Sequence, residues 1–212
     1  MRLYEKYRPR SWNEVVAQDK VVGQIRNLCK RGLSGHAYYL VGASGTGTTT
    51  IARLMASEFA GEREIYEVSG ASLTPSAMKE IHVSIGPITL LRSAICYIID
   101  SPDTLPREAI GQILIMLDRL PAHAIFIFTT RPRDHEKFIA KRANARLLLS
   151  RCIVLKLARR NLGNAFAARV KEIAEAEHLG GKPLASYLEL ARQERNNMRA
   201  MLQHVESGKM VQ

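Results

Sequence analysis

Five short apolar runs punctuate the chain: Ala37 to Val41, Ile65 to Val68, Ile95 to Ile99, Ile125 to Phe128 and Ile153 to Leu157. Each has strand length, and segments of helical period separate them. That alternation predicts an α/β fold, a five-stranded parallel sheet covered by helices on both faces. Ile95-Cys-Tyr-Ile-Ile99 and Ile125-Phe-Ile-Phe128 are continuously apolar, as strands buried on two sides are, and so mark the middle of the sheet. Val21, Val22, Ile25 and Leu28 share a helical face that predicts a helix over Lys20 to Arg31, ended by Gly32. After Leu157 the pattern changes. Phe166, Ala167, Val170, Ile173 and Ala174, then Leu184 to Leu190, then Met198 to Val205 repeat at helical spacing. Gly180, Gly181 and Pro183 separate the first of these from the second. The division expected is a core over 1–157 and a small all-helical lid over 158–212.

The first strand runs directly into Gly42-Ala-Ser44-Gly45-Thr46-Gly47-Thr48-Thr49-Thr50. This is a phosphate-binding loop in all but one position. In Gly-x4-Gly-Lys-Ser/Thr, backbone N–H groups cradle phosphates, the lysine reaches the β and γ phosphates and the hydroxyl takes the metal. Gly42, Gly45 and Gly47 permit the tight path, Thr49 fills the hydroxyl slot, and an apolar-faced helix follows over Ile51 to Phe59. Thr48 stands where the lysine belongs. The third strand ends in Asp100, placed as the carboxylate of a metal-holding strand. The next residue, where a glutamate polarises the attacking water, is Ser101, which is no base near neutral pH without an activating partner. Thr129 and Thr130 close the fourth strand, where a polar side chain senses the γ phosphate.

Composition narrows the partners. Lysine and arginine total 31 against 20 acidic residues, a net charge of +11 over 212 residues, which favours a polyanion such as nucleic acid. Cys29, Cys96 and Cys152 are dispersed and odd in number, which suits a reducing compartment and argues against zinc. The six histidines show no ligand-like spacing either. No apolar run reaches membrane-spanning or signal-peptide length, so a soluble, cytoplasmic protein is expected. Trp12, near Tyr4 and Tyr7, reads as part of a packed N-terminal segment rather than a base-stacking platform.

Taken in order, Tyr4-Glu-Lys-Tyr7-Arg8-Pro9, Val15-Val-Ala-Gln18, the glycine loop, the Asp100 strand, Thr129-Thr130, Ser150-Arg151-Cys152 and Asn197-Met-Arg199-Ala resemble the AAA+ clamp loader subunits. That group includes bacterial gamma/tau and delta-prime subunits and the small subunits of replication factor C. The resemblance spans nearly the entire chain. It implies ATP or ADP with Mg2+ as ligand, the ion held by Thr49 and Asp100. Tyr4, Arg8, Pro9, Val15 and Val16 would flank the adenine, and Gly42, Ser44, Gly45, Thr46, Gly47, Thr48, Thr49 and Thr50 would hold the phosphates. Thr130 would sense the γ phosphate, Arg199 would be the lid's sensor, and Arg151 the arginine finger that serves a neighbour's nucleotide. Other loader subunits, a sliding clamp and primer-template DNA would be the partners.

Four features depart from the family pattern. Thr48 and Ser101 are two. The third is the segment Arg131 to Arg146, longer than the family connection and rich in Arg131, Arg133, Lys137, Lys141, Arg142 and Arg146, a basic helix suited equally to a phosphate backbone or to solvent. The fourth is the end at Gln212, before any third, collar domain. Three readings follow. One is an impaired subunit that binds nucleotide weakly or not at all and lends Arg151 to an active neighbour. Another is a working ATPase in which a different cation replaces the lysine. The last is a DNA- or partner-binding scaffold independent of nucleotide.

Overall fold

The apolar runs become five parallel strands in a computed structural model that describes residues 1–86 and 94–211. They are β1 (Ala37–Val41), β2 (Ile65–Ser69), β3 (Ile95–Asp100), β4 (Ala124–Thr130) and β5 (Cys152–Lys156), in the order β2-β3-β4-β1-β5. The helices in chain order are α1 (Leu3–Lys6), α2 (Asp19–Arg31), α3 (Thr48–Phe59), α4 (Pro75–Ser84), α5 (Arg107–Asp118), α6 (Pro132–Lys141), α7 (Ala143–Ser150), α8 (Gly163–Ala176), α9 (Leu184–Gln193) and α10 (Met198–Glu206).

Strand residues alternate between two cores, as a two-sided sheet requires. On one face Tyr39, Tyr97, Phe126 and Phe128 pack with Met78, Ile110, Ile113, Phe138 and Leu148 of α4 to α7. On the other, Tyr38, Leu40, Ile98 and Ile127 meet Ile25 of α2 and Ile51 and Met55 of α3. β4 is central, with β3 and β1 beside it. β1 is as deeply buried as the two continuously apolar strands although it carries two tyrosines; Tyr38 Oη donates to the Leu33 carbonyl at 3.0 Å.

Some boundaries differ from the pattern. β4 continues through Thr129 and Thr130 because both are buried and hold register with Leu40 and Val41 of β1. α3 begins at Thr48, three residues before its first apolar position. The basic segment 131–146 is not one helix. It spans α6 and the first half of α7, broken at Arg142, whose backbone is extended and whose Nη1 donates to the Leu105 carbonyl. Phe138, Ala145 and Leu148 turn inward, so only part of its surface is free to present charge. The side chain of Lys141 lies outside the described residues.

α8, α9 and α10 build a third core around Phe166, Val170, Tyr187, Leu190, Met201 and Val205. Leu3 is buried inside it, and Tyr4, Tyr7 and Val16 pack against it, so the first residues of the chain join the helical cluster and not the sheet. Leu3 N–H donates to Glu206 Oε1 at 2.6 Å. Glu177 accepts from Lys6 at 2.5 Å and from Tyr7, and these two donors hold its carboxyl below the usual carboxylate range. Among the described residues no helix is long and apolar enough to cross a membrane.

Candidate functional site

Chain direction reverses around β1: the segment after β1 crosses to β2 at one edge, while the segment after β4 crosses to β5 at the other. The carboxyl ends of β1 and β4 therefore open a crevice of the kind in which parallel sheets place ligands. Leaving β1, Gly42 N–H donates to the Thr130 carbonyl at 3.0 Å. Thr46 closes a turn by donating from Oγ1 to the Ala43 carbonyl at 2.8 Å. Gly47 then enters α3 with φ +99°, backbone that a residue with a Cβ adopts only under strain.

Gly45, at φ +72°, has a second constraint: a Cβ there would overlap the side chain of Asn197. Asn197 caps α10 by accepting from Ala200 N–H at 3.2 Å, its Nδ2 reaches Ser44 Oγ at 3.4 Å, and Met198 N–H donates to the Gly45 carbonyl at 3.2 Å. The lid is thus docked on the loop itself. Gln18, 1% exposed, ties the same region from behind, donating from Nε2 to the Thr46 carbonyl at 3.3 Å and accepting from Ala158 N–H at 2.7 Å.

At the end of β3, Asp100 accepts from Thr129 Oγ1 at 2.7 Å and from Ser101 Oγ at 3.1 Å. Two hydrogen bonds fix the carboxylate, one from a buried threonine. Ser101 sits at φ 54°, in the left-handed region, and begins the turn that leads towards α5.

These groups line one cleft of about 410 Å3. Tyr4, Arg8, Pro9, Val15, Val16, the loop 42–50, Asp100, Thr130 and Arg199 are all on its wall. So are residues that the sequence did not single out as site residues: Tyr7, Glu14, Arg131, Phe166, Arg169, Ile173, Met198 and Leu202. Phe166, Arg169 and Ile173 follow the i, i+3, i+7 stripe of α8, a signal present in the periodicity but indistinguishable there from core packing. One end is apolar and aromatic. Arg199 lies with its guanidinium carbon 5.2 Å from the Tyr4 ring centroid, a cation–π contact that leaves the cation at the wall. Burial, followed by Arg53, lowers the pKa of Arg8, which nevertheless stays a cation.

The donor set fits a triphosphate. The N–H groups of Gly45, Gly47, Thr48, Thr49 and Thr50 donate to no acceptor among the described residues, at the start of a 12-residue helix whose dipole favours an anion. Thr49 and Asp100 offer a hydroxyl and a carboxylate on the same wall. The described residues contain no cluster of three or more His, Cys, Asp or Glu side chains able to hold a metal, so Mg2+ would complete its shell with phosphate oxygens and water.

Arg151 lies elsewhere. It is not on the cleft wall; it caps α7 and bonds Asp118 at the end of α5 in both branches, Nε at 2.6 Å and Nη2 at 3.0 Å, while Nη1 donates to the Leu147 carbonyl at 3.0 Å. Asp118 raises the pKa of the guanidinium, which in turn lowers that of the carboxyl. The adjacent Cys152 thiol is pushed up to about 12 by burial and is no thiolate at neutral pH.

No family model matches the chain. Among solved structures it is similar to the RuvB Holliday junction branch migration motor of Thermotoga maritima, with TM-score 0.71, 21% identity, and 94% of this chain and 64% of that one covered. A parallel five-stranded sheet with a loop of this shape and a helical lid on it defines the class, a P-loop protein of AAA+ architecture. Sequence relatives narrow it. DNA polymerase III subunit gamma of Buchnera aphidicola is 29% identical over 208 residues, covering 84% of this chain and 52% of that protein. DNA polymerase III subunit gamma/tau of Mycobacterium tuberculosis is 36% identical over 87 residues, 41% of this chain and 14% of that protein. Replication factor C small subunit 2 of Pyrobaculum aerophilum is 44% identical over 59 residues, 28% and 18% of the two chains. The chain is thus similar in sequence to clamp-loader subunits, and spans about half or less of the length of these relatives.

Proposed function

We propose that this chain is a replication clamp-loader subunit whose own site holds nucleotide weakly and does not turn it over, and whose Arg151 completes the site of a neighbouring ATPase subunit. The observation that carries the reading is the pair Thr48 and Ser101 inside a cradle that is otherwise complete. Five free N–H donors and the α3 dipole attract an anion, so phosphate still has a place. Loss of the lysine removes a charge-assisted contact of about 1.5 to 3 kcal/mol, roughly 10- to 150-fold in affinity. Loss of the glutamate removes the group that polarises water, so bound nucleotide stays intact.

In this reading the chain's residues divide the work as follows. The apolar end of the cleft, with Tyr4, Val15 and Val16, takes the base. The loop takes the phosphates, Thr49 and Asp100 hold Mg2+, which would neutralise phosphate charge, and Thr130 and Arg199 couple the phosphates to β4 and the lid. Arg151, outside the cleft, offers a fixed cation to a phosphate in trans. A sliding clamp, primer-template DNA and other loader subunits are the partners this role requires, and the net charge of +11 suits the DNA. Reconstitution with active clamp-loader ATPase subunits tests the reading: phosphate release by the assembly should exceed that of the partner subunits alone. An assembly with no gain over its parts refutes the trans role.

A further inference from the structure

We propose that Arg131 supplies the phosphate-binding cation that position 48 lacks. This rests on the reading that the cleft still takes nucleotide. Two contacts connect the positions through one residue. Gly42 N–H donates to the Thr130 carbonyl at 3.0 Å, and Val41 is in register with Thr130, so residue 131 leaves the sheet beside the start of the loop. A Cβ on Gly42 would overlap Thr48 Oγ1, which places the side chain of Thr48 directly over Gly42. Arg131 and Thr48 both line the cleft.

Of the four arginines on that wall, the other three belong to the N-terminal segment or the lid: Arg8, Arg169 bonded to Glu172 at 3.1 Å, and Arg199 over Tyr4. Arg131 comes from the sheet, next to the γ-phosphate threonine. Its side chain is 66% exposed and bonds Asp134 at 2.6 Å, an i,i+3 pair at the cleft rim of a kind that exchanges readily for a stronger anion. A triphosphate would outcompete that carboxylate because it offers more charge and a bidentate geometry that guanidinium matches. Arginine is also permanently charged, so this substitute needs no neighbour to keep it protonated.

The test is a double-mutant cycle read by affinity. Fluorescent methylanthraniloyl-ATP and methylanthraniloyl-AMP are titrated with Mg2+ against the full chain, its Arg131→Ala, Arg131→Lys and Asp134→Asn variants, and Arg131→Ala in a Thr48→Lys background. Arg131→Ala should weaken ATP about tenfold and AMP less than about twofold, with Arg131→Lys recovering part of the loss. Asp134→Asn should tighten ATP by a few-fold. In the Thr48→Lys background the effect of Arg131→Ala should shrink below about threefold, because two cations serving one phosphate are not additive. An unchanged ATP affinity in Arg131→Ala, equal losses for ATP and AMP, or the same loss in both backgrounds would each overturn the proposal. So would ATP binding that appears only with Thr48→Lys. If neither background binds ATP, the cleft reading falls together with it, a result distinct from binding that ignores Arg131. Melting temperatures without nucleotide identify a variant that has lost its fold; the Arg131→Lys and Asp134→Asn comparison then decides.

Discussion

The cleft and the Arg151 edge are both built from the ends of the same sheet, yet they are held in opposite ways. The cleft has a backbone cradle, a carboxylate and a lid contact, with Thr48 and Ser101 where a lysine and a glutamate were expected. The edge holds Arg151 in a two-branched bond to Asp118. In the cleft the backbone geometry is fixed by folding, through Gly45 against Asn197 and Gln18 behind the loop. At the edge the fixed part is a side chain, held by a partly exposed ion pair. That contrast is what a subunit that donates but does not turn over would present.

The strongest way to sharpen the comparison is Arg151→Ala. In an assembly with active subunits, it should lower phosphate release by about a thousandfold or more at the dependent site, the range for a lost arginine finger, while leaving the chain's own ATP affinity unchanged. Steady-state release and a nucleotide titration on the same preparation check both halves. Thr48→Lys acts on the other region. It should tighten ATP by roughly 10- to 150-fold in the Arg131→Ala background, and by less where Arg131 is present, without creating turnover, since position 101 still lacks a carboxylate; calorimetric titration reads the affinity.

Gly45→Ala tests the lid contact. The left-handed backbone costs about 1 to 2 kcal/mol for an alanine, and Asn197 must also move, so the melting temperature should fall and hydrogen exchange should rise at the start of α10. Asp118→Asn releases half of the lock on Arg151. Because the pair is exposed, its effect on stimulation should stay within about fivefold, upwards, with the cleft unaffected.

The smallest effect concerns pH. Burial, then Lys156, lowers the pKa of His135 on α6, whose ring lies 5.5 Å from Tyr39. The unfolded chain binds the proton more readily than the folded one, so stability should be complete above about pH 6.5 and decline as pH falls through and below it. His135→Gln should flatten that slope in denaturant titrations at a series of pH values. An unchanged slope removes His135 as its source.

The sheet was legible in the sequence because its signals are local: apolar runs of strand length, a glycine loop after the first, an aspartate ending the third. The loop residues and Asp100 followed, since each is defined by position within its own element. What remained hidden depends on pairs distant along the chain. Ser44 meets Asn197 across 153 positions and Arg151 meets Asp118 across 33, and no periodicity encodes either meeting. Leu3 joined the lid core for the same reason: a single apolar residue in a short polar helix has no face to read. The basic segment was misread as one helix because its charges obscure Phe138, Ala145 and Leu148, the positions that fold it back on the sheet.

Phosphate release by the isolated, unmodified chain under single-turnover conditions with MgATP is the most direct measurement. A subunit that lends its arginine and keeps its own nucleotide intact should release none above the solvent background, before or after Asp100→Ala. Steady release that disappears in Asp100→Ala would show that the cleft is itself a working ATPase and would contradict the account.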